Sequence, residues 1–159
     1  MMIVTALVVA FLYVCSVAPT DGHSLFKRRL DQFGEMVHLK TGRDSLDYNS
    51  YGNYCGIGGG NTPVDNIDRC CKTHDACYYS VNRNQCSAVI KLKPYLEGYT
   101  WHNNNGQITC STQDEQCRQA TCHCDKEAAE CFGRYKDEYN RDNLKNIGKL
   151  LSDIQHLLG

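Results

Sequence analysis

Two pairs of cysteines constrain this chain more than any other feature. Cys70 and Cys77 are seven residues apart, and so are Cys124 and Cys131. Seven residues is about two turns of α-helix. Two antiparallel helices would therefore close Cys70–Cys131 and Cys77–Cys124 in one register. His74 falls between the first pair on the same helical face, because residues three and four apart are neighbours there. Asp75 follows it, and Asp125 sits beside the second bridge on the turn facing His74. The spacing predicts a His–Asp pair built across two helices, which is acid–base chemistry. Two satisfied polar residues in a small core are the plain alternative.

The cysteines also fix the compartment. Residues 3 to 14 form an apolar run too short for a normal membrane span, followed by small residues between Ser16 and Gly22. This reads as a secretory signal peptide over residues 1–22, cut between 18 and 22. A signal anchor is the alternative. The basic triplet Lys27-Arg28-Arg29 reads as a processing site closing a propeptide over 23–29, with a solvated charge run as the alternative. The mature N-terminus is then Arg29 or Leu30, and the domain spans 30–159. Setting aside Cys15 leaves ten of the eleven cysteines, an even number. A leader with a dense, even cysteine set implies disulfides and a secreted, extracellular protein. From Leu30 onward the chain has fourteen Lys and Arg against seventeen Asp and Glu, a formal charge of −3. That argues against a nucleic-acid partner and against strong attraction to anionic membranes.

Residues 30 to 39 place Leu30, Phe33, Met36 and Val37 on one stripe, a short amphipathic helix. Residues 40 to 50 read as loop. Five glycines between Tyr51 and Asn61 let the backbone turn with its carbonyls inward. Carbonyls plus one carboxylate suit a hard cation such as calcium. A plain flexible loop and a phosphate cradle are the alternatives, and the motifs of a nucleotide loop are missing. Thr62-Pro63 leads into the first long helix, with Asp65 and Asp68 in its first turns, running to about Ser80. Cys70 and Cys71 point in different directions, so Cys71 can reach back to Cys55 and hold the loop against His74 and Asp75. Residues 100 to 110 read as a hairpin around Asn105-Gly106. Trp101, the single tryptophan, either dips into a lipid interface or packs on the body. The second long helix is expected over 113–134. A further amphipathic helix is expected over about 142–158, where Leu144, Ile147, Leu151, Ile154 and Leu158 recur at steps of three and four. Packing on the body is favoured over a membrane surface, since its polar face is not strongly basic.

Tyr51-Gly52-x-Tyr54-Cys55-Gly56-x-Gly58-Gly59, then Asp68-x-Cys70-Cys71-x-x-His74-Asp75-x-Cys77-Tyr78, then Cys122-x-Cys124-Asp125 resemble the secreted, calcium-dependent phospholipase A2 family. The resemblance covers about residues 30 to 131. It implies a mainly α, disulfide-rich fold: two long antiparallel helices cross-linked by disulfides, a short N-terminal helix, a calcium loop and a small two-stranded β-wing. It implies main-chain carbonyl ligands at Tyr54, Gly56 and Gly58 and a carboxylate ligand at Asp75, for one Ca2+ per chain. His74 resembles the general base, Asp125 its orienting partner, and Tyr78 and Tyr99 the tyrosines bonded to that aspartate. The Gly56 amide is similar to the oxyanion donor. The implied bridges are Cys55–Cys71, Cys70–Cys131, Cys77–Cys124, Cys86–Cys117 and Cys110–Cys122. Two departures come in pairs. Asn53 stands where many members have a cysteine bridged to the C-terminal tail, and this tail has none; Leu39 and Asn103 stand where another bridge would form.

The implied activity is release of the sn-2 fatty acid from a glycerophospholipid at a membrane surface or micelle. A neutral imidazole can take a proton from water near neutral pH, and Asp125 would fix its tautomer. With every mature cysteine committed to a bridge, direct attack by water is the expected route. The resemblance gives calcium the substrate phosphate and the sn-2 carbonyl. The rival reading is a phospholipase-like toxin or receptor ligand that binds without catalysis; protein partners are open. A zinc protein is a second rival, because Cys-Cys-x-x-His-x-x-Cys and Cys-x-Cys resemble ligand clusters.

Overall fold

The computed structural model describes residues 22–56, 59–86 and 93–145, with residues 22–30 described as backbone course only. The expected leader cleavage site, Gly58, and the body of the expected C-terminal helix lie outside the described residues. Four α-helices, three short 3-10 turns and one hairpin make up the described fold. Helix α1 spans Gly22–Thr41, α2 spans Asn66–Asn84, the single turn α3 spans Lys93–Leu96 and α4 spans Gln116–Tyr135. Strands β1 (Trp101–Asn104) and β2 (Gln107–Cys110) pair antiparallel, Trp101 opposite Cys110.

Helix α1 is longer than the stripe at 30–39 predicts. The backbone is already helical at Gly22 and remains so through the basic triplet. Nothing between His23 and Arg29 breaks a helix, and Leu, Lys and Arg are good helix formers. The apolar stripe faces inward as its spacing requires: Met36 and Val37 are buried and Phe33 packs against them. Thr41 closes the helix by donating to the Val37 carbonyl at 2.8 Å.

Helix α2 begins one residue past Asp65, whose carboxylate accepts the Asp68 N–H at 2.8 Å. An aspartate in this position satisfies one of the amides that the first turn leaves unpaired. The helix runs past Ser80 to Asn84 because no glycine or proline interrupts it. Its end is tied by Cys86–Cys117 to the start of α4. Helix α4 starts later than expected because Asp114 is engaged elsewhere: its carboxylate accepts the Thr100 N–H at 2.6 Å.

The two long helices lie antiparallel, linked by Cys70–Cys131 and Cys77–Cys124. Cys55–Cys71 ties the glycine loop to α2, and Cys110–Cys122 ties the hairpin to α4. Bridges closing such loops are each worth about 2–4 kcal/mol, which matters for so small a core. All ten cysteines among the described residues are oxidised in these five bonds, so none of them is free to ligate zinc. Asn105 (φ 51°) and Gly106 (φ 86°) form the two-residue hairpin turn, the left-handed pair that matches strand twist. Trp101 packs against the main core cluster. Where the family bridge at Leu39 and Asn103 is missing, Lys40 Nζ donates to the Gly106 carbonyl at 2.7 Å and ties α1 to the hairpin.

At the C-terminal end, Arg141–Asn143 form a 3-10 turn and Leu144 pairs with Tyr51 in an isolated antiparallel bridge. The chain is therefore not α-helical at 142–144, and residues 146–158 of the expected helix lie outside the described residues. Among the described residues, no helix is long and apolar enough to cross a membrane.

Candidate active site

Helices α2 and α4 present His74 and Asp125 to each other through the paired bridges at residues 70, 77, 124 and 131. His74 Nε2 lies 2.6 Å from Asp125 Oδ1. The carboxylate is fully buried and the imidazole retains 14 % of its side-chain exposure. A buried carboxylate accepts, so Nε2 carries the hydrogen and Nδ1 carries the lone pair. Nδ1 has no hydrogen-bond partner among the described residues. The geometry thus leaves one open basic nitrogen on a ring fixed from behind.

Burying a carboxylate is costly unless its lone pairs are filled. Here they are. Tyr78 Oη donates to Asp125 Oδ1, and Tyr99 Oη donates to Oδ2 at 2.6 Å. Tyr78 comes from α2, one turn beyond His74, whose ring it also touches at 4.2 Å between centroids. Tyr99 comes from the segment between α3 and β1.

Two residues that the sequence reading did not place in the site belong to it. Phe33 stacks on His74, centroids 4.7 Å apart and planes 20° apart. Gln32, beside it on α1, grips the backbone of Tyr99 twice: its Nε2 donates to the Tyr99 carbonyl at 2.5 Å, and its Oε1 accepts the Tyr99 N–H at 3.2 Å. Helix α1 therefore orients both the imidazole and one tyrosine. Only Phe33 had a signal in the sequence, as part of an apolar stripe.

The glycine loop is organised by Asp68, which in the sequence is a favourable helix-start charge and the first residue of the second motif, with no role of its own. Its buried carboxylate accepts the N–H of Tyr54 at 2.7 Å, of Asn53 at 2.8 Å and of Val64 at 2.9 Å. One carboxylate thus gathers both limbs of the loop onto the first turn of α2. Asn53 closes the loop a second time, donating from Nδ2 to the Thr62 carbonyl at 2.8 Å.

Asp75, next to His74 on α2, has no hydrogen-bond or ion-pair partner among the described residues. Burial raises its pKa above the usual aspartate value, and the neighbouring His74 pulls it partly back. Neither the Tyr54 nor the Gly56 carbonyl accepts a backbone hydrogen bond among the described residues. Gly56 has φ +118°, a backbone setting that suits glycine. No group of three or more His, Cys, Asp or Glu able to hold a metal occurs among the described residues. A cation here would take one carboxylate and main-chain oxygens, a donor set for calcium and not for zinc.

The motifs match beyond the site. A family profile described as phospholipase A2 matches residues 30–144. The chain belongs to the phospholipase A2 family. It is 40% identical over 131 residues to a phospholipase A2 of Scolopendra dehaani, covering 82% of this chain and 88% of that one. It is 42% identical over 127 residues to the phospholipase A2 of Bos taurus, covering 79% and 86%. It is 48% identical over 110 residues to the membrane-associated phospholipase A2 of Mus musculus, covering 69% and 71%. These relatives are phospholipase A2 enzymes by name, and the enzyme class expected from the motifs is the same. The mainly helical, disulfide-linked fold with its two-stranded sheet is the fold expected for the phospholipase A2 family.

Proposed function

We propose that this chain is a secreted, calcium-dependent phospholipase A2 that releases the sn-2 fatty acid from glycerophospholipids. The observation that carries the reading is the His74 Nε2–Asp125 Oδ1 contact of 2.6 Å, which leaves Nδ1 as the open base. His74 Nδ1 takes a proton from the attacking water. Asp125 holds the tautomer and stabilises the imidazolium that results. Tyr78 and Tyr99 hold that carboxylate in place through their hydrogen bonds.

Tyr54 and Gly56, through their carbonyls, and Asp75, through its carboxylate, are the described residues that would hold the calcium; Gly58, the remaining ligand of the expected set, lies outside them. Calcium bound there supplies electrophilic polarisation of the ester carbonyl and neutralises phosphate charge. The Gly56 N–H is the main-chain donor assigned to the oxyanion. With both members of the His–Asp pair and Asp75 present, catalysis is favoured over a binding-only toxin or receptor ligand.

Five disulfides argue for an oxidising compartment, and a signal peptide over 1–22 with a propeptide over 23–29 would place the mature domain at 30–159. Its partner is a phospholipid surface or micelle. The test is fatty-acid release from phosphatidylcholine vesicles with calcium or chelator, using the wild type and His74→Gln. Activity that requires both calcium and His74 is expected. Full activity in chelator, or in His74→Gln, would exclude this mechanism. A folded, processed wild type with no activity would favour the binding class.

A further inference from the structure

The C-terminal segment has no cysteine, yet it is fixed to the glycine loop. Tyr51 Oη donates to Asp65 Oδ2 at 2.5 Å. Asn143 Nδ2 donates to the same oxygen at 2.8 Å and lies 3.2 Å from Tyr51 Oη. The Asn140 N–H donates to Tyr51 Oη at 3.1 Å. The backbones are stitched as well: Gly52 N–H to the Asn143 carbonyl, and Lys145 N–H to the Ser50 carbonyl, each at 2.8 Å. Tyr139 stacks on Tyr51 with centroids 5.1 Å apart.

These contacts land on both ends of the loop. Tyr51 and Gly52 are its entry, immediately before the Asn53 and Tyr54 amides that Asp68 holds. Asp65 is its exit and the N-cap of α2. A segment that grips both ends sets the span of the loop and the direction in which its carbonyls point. Asn143 is the pivotal residue, since its carbonyl holds the entry while its side chain holds the exit.

We propose that residues 140–145 act as a non-covalent clasp on the glycine loop, with Asn143 the positioning residue that keeps the loop arranged for calcium. The proposal rests on the calcium reading given above. A loop that must be ordered at the moment of binding lowers the competent fraction, and the apparent affinity falls by that fraction. The clasp removes this loss where many family members use a disulfide to the tail.

The test is isothermal titration of calcium into the purified, disulfide-intact protein, for wild type, Asn143→Ala and Lys145→Pro. The proline removes the N–H given to Ser50 together with the exposed lysine side chain, and Leu144 already has the extended backbone (φ −70°, ψ 125°) that a following proline requires. Asn143→Ala is expected to weaken calcium binding about tenfold, the low end of the effect of losing a hydrogen bond to a carboxylate, and Lys145→Pro somewhat less. Values of kcat at saturating calcium should stay within about twofold of wild type, because the His74–Asp125 pair is untouched. Amide exchange at Asn53 and Tyr54 in the calcium-free protein should quicken. A lowered Tm with unchanged calcium Kd in both variants would overturn the clasp and leave the tail a purely structural element. Should Asn143→Ala fail to fold, Lys145→Pro decides by the same readouts. A folded wild type that binds no calcium would overturn the calcium reading, and this proposal with it.

Discussion

Gly52 and Asp68 are fitted to one another: a Cβ at residue 52 would stand 2.3 Å from the Asp68 carboxyl carbon, and the backbone there has φ +57°. That close approach lets the carboxylate reach the Asn53 and Tyr54 amides. Asp68→Ala leaves three part-buried N–H groups without their acceptor, so it should cost about 3 kcal/mol of stability. Gly52→Ala should cost a similar amount through clash and backbone strain. Because both act on one contact, the double variant should lose less than the sum. Urea unfolding with the disulfides intact measures all three, and a loss below about 1 kcal/mol for Asp68→Ala would contradict the role assigned to it.

His74→Gln removes the proposed base and should lower kcat by a factor of about 10² to 10⁴. Asp125→Asn should lower it within a similar range, because an amide can donate to Nε2 and favour the wrong tautomer. Calcium affinity should be retained in both, since neither residue is a proposed ligand. Steady-state hydrolysis paired with calcium titration separates the two effects. Calcium binding lost in parallel with kcat would point to damage of the loop.

Tyr78 and Tyr99 bond different oxygens of one buried carboxylate. Each Tyr→Phe change should cost about 1.5–3 kcal/mol, the range for hydrogen bonds to a charged group. The double variant leaves Asp125 with the histidine as its remaining partner among these three, and its activity should fall further than either single variant. Thermal unfolding and initial rates on the same preparations give both numbers. Two changes that are strictly additive and leave kcat unmoved would show that the tyrosines serve stability alone.

The phenol of Tyr51 has its pKa raised, first by burial and then by the hydrogen bond to Asp65. The native state therefore holds this proton to higher pH than the unfolded chain does. The contribution of Tyr51 is whole below the ordinary phenol value of about 10 and is lost as pH rises through the raised native value. Tyr51→Phe should be less stable than wild type at pH about 8, with the gap narrowing at strongly alkaline pH. Unfolding free energies measured across that range test the sign; a gap that widens with pH would contradict it.

Much of this protein is legible in sequence because the signals are local and periodic. Two seven-residue cysteine spacings specify a pair of antiparallel helices with one register, and that register alone brings His74 opposite Asp125. The Asn105-Gly106 pair dictates its own turn, since both positions require a left-handed backbone. The stripe through Phe33, Met36 and Val37 announces a buried helical face. What tertiary structure decided has no such period. Gln32 finds Tyr99 across 67 residues, and Asn143 finds Asp65 across 78. Each is a polar side chain whose partner is fixed only when helices, loop and tail have already packed. Asp68 carries the same lesson: its sequence position reports a helix start, and only the folded chain brings three loop amides to its carboxylate. The tail shows it most plainly: its apolar spacing suggests packing on the body, and only the folded chain shows Tyr51, Asp65 and Asn143 sharing the hydrogen bonds that fix it.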